Sequence, residues 1–309
     1  MTIEYGEGRL VAALKERIDR GARSRLEALE IDGVPVMQAD LPGVFRAIFT
    51  TRHGGRSSGP YASLNLDPRS LDDRLAVEAN RARIAGVLDT ISPLAGAGES
   101  TGDSKDRSGS ERSGFKLVSP RQEHGLRVMG AAEYVRHSAG EPCDGLTVHP
   151  LLDRGLAAML LFADCVPVVL AGEVDAALVH GGWRGILGGI IQQAARAMTG
   201  PPAMAVIGPS IGPCCFSVGE DVAQAFAARY GSDVVRRLPG QEPRVDLWAA
   251  ADRALGEVDV PHERVTNPRL CTCCNNDLFY SYRREGPVTG RHCGVLWAAA
   301  PAFQRGDAR

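Results

Sequence analysis

The stretch LAAMLLFADCVPVVLAGEVDAALVHGGWRG, residues 156–185, decides the fold class. It contains three apolar runs, 156–162, 168–171 and 176–179, each of strand length and too short for a buried helix. Turn signals separate them, with Gly172-Glu173 between the second and third. Working outward, strand-like runs recur at 44–49, 115–118 and 203–207. Helical patterns occupy 71–87, 186–198, 222–230 and 246–255. Ile186, Ile190 and Ala194 stack on one face with Leu187, Ile191 and Met198 alongside, the stripe of a helix that covers a sheet. Strands joined by hairpin-length connections and covered by helices predict an α+β fold rather than a doubly wound parallel sheet. No GxGxxG follows a strand and no GxxxxGK[ST] occurs, so a nucleotide-binding fold lacks its motifs.

The same stretch carries two soft-ligand residues. Cys165 follows the most apolar run, and His180 follows another and precedes two glycines. A hairpin centred on Gly172-Glu173 predicts that Cys165 faces His180 across the ladder, with Cβ atoms about 5 Å apart, although Pro167 lies inside the pairing. Either residue alone reads as buried structure; the pair in register reads as a site. His124, in RQEHG (121–125), also ends a strand-like run and precedes glycine. Two imidazoles and a thiolate leave a fourth position open, as catalytic zinc requires, and the same set also holds copper.

Composition bounds the rest. The 309 residues are 44% hydrophobic and 23% charged with a net charge of -2, which excludes a mainly disordered chain and gives no field favouring nucleic acid. Lys15, Lys105 and Lys116 are the only lysines; every other basic residue is arginine, so a Schiff-base or phosphate-loop lysine is not expected. No run approaches the roughly 20 apolar residues of a membrane span. The first residues, with Glu4, Glu7, Lys15 and Glu16, show no apolar signal core, so the expected location is cytoplasmic. Eight cysteines in such a chain are expected to be reduced thiols.

Several motifs together resemble a known family. FTTRHGGRSSGPYASLNL (49–66), RQEHG (121–125), ADCVPVVL (163–170), VHGGWRG (179–185), IGPSIGPCCFSVG (207–219), LCTCC (270–274), SYRR (281–284) and TGR (289–291) look like the laccase-domain family, also called multicopper polyphenol oxidase or YfiH-like purine nucleoside phosphorylases. The resemblance runs from about residue 40 to 300. It implies one zinc held by His124, Cys165 and His180, with copper as the alternative metal. It implies a layered α-β-β-α sandwich with mixed sheets, similar to the cytotoxic necrotizing factor type of cysteine hydrolase. Three reactions follow from it: phosphorolysis of purine nucleosides (adenosine, inosine, guanosine, methylthioadenosine) with adenosine deamination; hydrolysis of peptidoglycan precursors by Cys165 with His180 as base; and copper-dependent phenol oxidation. The third needs many histidines, and His53, His137, His149, His262 and His292 are scattered. The expected partners are a nucleoside and phosphate, with no nucleic acid or membrane, in a monomer or small homo-oligomer. Glu123 and Gly181 depart from the family's usual aliphatic residue and alanine.

Other residues are weaker candidates. Arg52 and Asn65 flank the glycine-rich loop and are expected to meet phosphate or substrate hydroxyls, and Arg184 follows the histidine at a helix start that favours anions. Asp164 reads as a positioning or turn residue and Trp183 as packing. Arg283, Arg284 and Arg291 form a late basic cluster, read equally as surface ion pairs. Cys271, Cys273 and Cys274 lack a second CxxC at zinc-ribbon spacing and read as structural thiols. Residues 1–30 read as a helical N-terminal extension and 31–309 as one catalytic domain, interrupted by LAGAGESTGDSKDRSGSERSG (94–114), which nearly lacks large apolar side chains with which to bury itself. Deleting 94–114 is expected to leave melting temperature and metal content at parental values. A large loss of either would show that the insert packs.

Overall fold

The computed structural model describes residues 8–19, 25–93 and 114–299; the insert expected to be disordered lies, apart from Gly114, outside them. Along the chain run α1 (Arg9–Asp19), β1 (Leu26–Ile31), β2 (Val34–Ala39), β3 (Phe45–Thr50), α2 (Arg74–Ile91), β4 (Lys116–Val118), β5 (Val128–Gly130) and the single turn α3 (Ala131–Glu133). Next come β6 (Gly145–Val148), β7 (Leu156–Phe162), β8 (Val166–Ala171), β9 (Ala176–Gly181), α4 (Trp183–Gly188), α5 (Ile190–Ala197), β10 (Met204–Ile207) and α6 (Glu220–Tyr230). The short pair β11 (Val235–Arg236) and β12 (Arg244–Val245), α7 (Leu247–Gly256), β13 (Val265–Thr266), α8 (Tyr282–Glu285) and β14 (His292–Ala298) complete it.

Two six-stranded sheets result, ordered β1-β2-β3-β14-β7-β4 and β13-β10-β8-β9-β6-β5. Each is mixed: β4 runs parallel to β7, β5 to β6 and β13 to β10, and the remaining pairs are antiparallel. Alternate residues of each strand enter different cores. Ala158, Leu160 and Phe162 of β7 meet Ala176 and Leu178 of β9 and Val169 of β8 between the sheets. Ala157, Met159 and Leu161 face α2, while Val168, Leu170, Ala177 and Val179 face α4 to α7. The layers are therefore α-β-β-α. Being covered on both faces is why β7, β8 and β9 read as unbroken apolar runs rather than alternating ones.

Three sequence expectations change. The helix in 1–30 ends at Asp19, and residues 26–31 form the edge strand β1 of the first sheet. Nor is α1 a mere extension: Leu10, Leu14 and Ile18 are buried in the inter-sheet core, and Arg17 pairs with Asp277 at 2.9 Å. The helix expected over 186–198 is broken by Gly189, whose φ of 90° is open to glycine and strained for other residues. The β8–β9 register also differs. His180 pairs with Pro167 rather than Cys165, because the turn is centred one residue later, between Glu173 and Val174. A shift of two keeps each side chain on its face, so Cys165 and His180 still share one side. Leu14→Ala is expected to cost about 2–5 kcal/mol in denaturant unfolding; a loss below about 0.5 kcal/mol, the usual range for a surface substitution, would show that α1 is only appended.

Candidate functional site

The chain crosses from the first sheet to the second twice, and each crossing carries a candidate ligand. Between β7 and β8 the crossing is Ala163-Asp164-Cys165; between β4 and β5 it is 119–127, carrying His124. The second is clipped to β7 by Gln122, whose side-chain amide donates to the Leu161 carbonyl and accepts from the Leu161 N–H, both at 2.8 Å. Asp164 takes a left-handed φ of 96°. Its carboxylate accepts from the Thr272 hydroxyl and the Arg283 N–H, each at 2.6 Å, and so anchors the turn that presents Cys165. His124 is also left-handed, at φ 61°. A Cβ on Gly182 would lie 2.5 Å from the His124 ring, so glycine there lets the two loops close.

Asp144, just before β6, organises the histidines. Its carboxylate accepts the backbone N–H groups of Glu123, His124 and Gly125 at 3.1, 3.0 and 2.9 Å and lies 2.8 Å from His180 Nδ1. That bond assigns the proton to Nδ1 and leaves Nε2 as the His180 atom that could meet a metal. Burial works against the charged carboxylate, but the bond to His180, the His180 charge and the N–H groups of Gly125 and Glu123 together outweigh it and hold Asp144 below the usual range. Sequence reading missed Asp144: an Asp before Gly145 reads as a turn former, and only its place ahead of a buried strand distinguishes it.

Cys165 Sγ lies 3.6 Å from His124 Nε2, and the ligand atoms of His124, Cys165 and His180 all lie within 4.8 Å of one another. Tetrahedral zinc with bonds of 2.0–2.3 Å needs donors about 3.3–3.8 Å apart. The Cys165–His124 separation already falls in that range, and the donor types suit zinc. Burial would raise the Cys165 thiol, yet His180 and the bond to His124 bring it down to about 6. Burial would lower His180, yet the Cys165 thiolate and Asp144 lift it to about 9. A thiolate is therefore ready for a cation, which would take over the role of the imidazolium.

The three residues line a cavity of about 590 Å³ with Arg69, Arg184, Arg283 and Arg291. Trp183, Phe216 and Tyr282 supply apolar wall. Arg283 donates to the Cys215 and Ser217 carbonyls and the Ser217 hydroxyl, and Arg291 to the carbonyls of Thr289 and Gly290. These acceptors are neutral, so both guanidinium charges remain uncompensated by them. Arg69 is paired with Asp67 at 3.2 Å, and Arg184 stacks on Trp183 at 4.3 Å.

Two expected site residues are elsewhere. Arg52 is held by the Ala62 and Asn276 carbonyls and by Glu285 at 2.8 Å, with its charge balanced. Asn65 is fully buried; its amide donates to Ser70 and Asp72, and its oxygen accepts the N–H groups of Asp67 and Arg291. Neither lines the cavity. Asn65 instead ties together the two backbone segments that bear Arg69 and Arg291.

Residues 46–95 and 105–299 match the family described as multi-copper polyphenol oxidoreductase laccase. This chain belongs to that family. It is 32% identical over 262 residues, 78% of this chain and 86% of the relative, to a protein of Geobacillus stearothermophilus named purine nucleoside phosphorylase YlmD. To a Deinococcus radiodurans protein named purine nucleoside phosphorylase it is 35% identical over 288 residues, covering 90% and 98% of the two chains. The crystal structure of a Neisseria meningitidis protein superposes with a TM-score of 0.69 at 30% identity, over 85% of this chain and 98% of that one. Asp144→Asn is expected to weaken zinc binding about 10–100-fold in competition with a chromophoric chelator; unchanged affinity would mean that Asp144 does not set the ligand geometry.

Proposed function

We propose that this family member is a zinc-dependent purine nucleoside phosphorylase that also deaminates adenosine, taking adenosine, inosine, guanosine and methylthioadenosine. The observation that carries the reading is the cavity itself, in which a two-histidine, one-cysteine centre opens onto four arginines and an aromatic wall. Its volume suits a small ligand of nucleoside size. The guanidinium groups of Arg283 and Arg291, bonded to neutral oxygens, offer uncompensated charge and planar donors to phosphate. Trp183, Phe216 and Tyr282 offer faces for a purine ring. The names of the relatives support the same substrate class.

Zinc held by His124, Cys165 and His180 would supply Lewis acidity to a water or a substrate oxygen in the open position. The chain's own groups do the rest. Asp144 keeps the proton of His180 on Nδ1, Asp164 fixes the Cys165 turn, and the arginines orient phosphate and balance its charge beside the sugar. A trinuclear copper centre is disfavoured by the donor set: among the described residues, His124, Cys165 and His180 are the one metal-capable group that contains histidine.

The low Cys165 pKa gives a second reading, a cysteine hydrolase of the cytotoxic necrotizing factor type acting on peptidoglycan precursors, with Cys165 as nucleophile, His180 as base and Asp144 as orienter. Metal dependence separates the two. Inosine with phosphate and the zinc-loaded enzyme is expected to give free base and ribose 1-phosphate, and adenosine to give inosine as well; chelation is expected to abolish both and added zinc to restore them. Chelated protein as active as the zinc form would overturn the zinc mechanism and favour the hydrolase. Arg184→Ala is expected to raise the KM for phosphate about tenfold or more, the loss of one charge-assisted hydrogen bond, with a smaller change for nucleoside. Equal changes in both would remove Arg184 from the phosphate position.

A further inference from the structure

A second group of thiols lies outside the three-residue centre. Cys214 and Cys215, in the turn after β10, meet Cys271 and Cys274, in the turn before α8, with all four Sγ atoms within 4.8 Å of one another. Cys274 Sγ lies 3.5 Å from Cys214 Sγ and 3.4 Å from Cys215 Sγ. We propose that these four cysteines form a second metal site, a tetrathiolate centre for zinc or another thiophilic cation, which staples the 212–217 turn to the 270–285 segment and so fixes Arg283 and Asp164 at the cavity.

The spacing supports a cation. Zn–S bonds of about 2.3 Å place thiolates on tetrahedron edges of about 3.8 Å, close to the separations here. Disulfides join sulfurs in exclusive pairs at about 2.05 Å, whereas Cys274 Sγ stands almost equally far from two partners, at 3.5 and 3.4 Å. The backbone is arranged to deliver the donors. The first turn closes through Cys215 N–H and Phe216 N–H to the Gly212 carbonyl, and the second through Asn275 N–H to the Cys271 carbonyl. They are joined by a bridge at Ser210 and Cys271, and Gly212 N–H donates to Cys271 Sγ at 3.2 Å. Four thiolates around a divalent cation carry a net charge of about -2, and the shell answers it. Arg244 donates to the Cys214 carbonyl, Arg283 donates to the Cys215 carbonyl, and Arg284 acts on Cys274.

The consequence reaches the first centre. Thr272, inside the second turn, donates to Asp164, and so does the Arg283 N–H; Asp164 directly precedes Cys165. Ordering two turns some 60 residues apart would therefore hold both a cavity guanidinium and the turn of a ligand. Sequence spacing hides this, because Cys271 and Cys274 form a CxxC whose partner pair, Cys214-Cys215, is adjacent in sequence and remote from it.

The test uses the full chain with His124→Ala and Cys165→Ser, purified with zinc under reducing conditions. One zinc per chain is expected, and cobalt(II) in its place is expected to show the intense thiolate-to-metal charge transfer of a four-sulfur site. Adding Cys214→Ser and Cys274→Ser is expected to remove both signals and to speed amide hydrogen exchange across 270–285 at least tenfold. Should that variant fail to fold, thiol titration of the folded His124→Ala/Cys165→Ser protein replaces it: four thiols are expected to react only after a chelator is added. A folded first-centre variant without zinc, cobalt lacking the four-sulfur spectrum, or thiols equally reactive with and without chelator would each overturn the site. Unchanged exchange across 270–285 in a folded quadruple variant would overturn the staple.

Discussion

One buried carboxylate sets the frame of the site. Asp144 accepts three consecutive backbone N–H groups from the loop that carries His124 and the Nδ1 proton of His180, while its own carbonyl accepts the His180 N–H at 2.7 Å. A carboxylate taken out of water costs several kcal/mol unless such partners replace its hydration. The converse holds as well: three loop amides with no carboxylate to receive them would each cost about 1–3 kcal/mol if left unpaired. The loop, the end of β9 and the start of β6 are therefore fixed together, and the left-handed backbone at His124 is held by neighbours rather than by its own preference.

The two sheets share one core, and the crossings between them bring functional side chains to one end of it. His180 continues the inward face of β9 after Leu178 and touches Phe162 of β7 at 5.5 Å, so it stands on the last rung of the inter-sheet core. Cys165 and His124 arrive from the two crossings. The arginines come from separate segments, around residues 69, 184, 283 and 291, and each is braced by a different partner. A chain with three lysines has placed its cavity charge on guanidinium groups, whose fixed fork suits a phosphate better than a point ammonium does.

Much of this was legible because it is local. The runs around residues 156–179 gave strands buried on both faces, and Cys165, His180 and His124 stood out as soft ligands at strand ends. The β8–β9 register was legible only to its parity, since the four-residue connection 172–175 shifts the pairing by two. Arg52 illustrates the opposite error. A glycine-rich loop invites an anion reading, but Glu285 and two carbonyls satisfy this guanidinium. Asp144 and the Cys214–Cys274 contact were not legible because their meaning lies in partners 20 to 60 residues away, for which no spacing rule exists. The first strand was hidden by the charged, weakly apolar pattern LEALEI, typical of an edge rather than a core strand.

A zinc ion held by His124, Cys165 and His180 would sit at the floor of the arginine-lined cavity. Anomalous diffraction on either side of the zinc absorption edge, from crystals of the zinc-loaded protein, tests this placement most directly. The expected result is a peak about 2.0–2.3 Å from His124 Nε2, Cys165 Sγ and His180 Nε2 together, with His180 Nδ1 still on Asp144. No peak at those three atoms in crystals that contain zinc, or a peak with His180 turned away from Asp144, would contradict it.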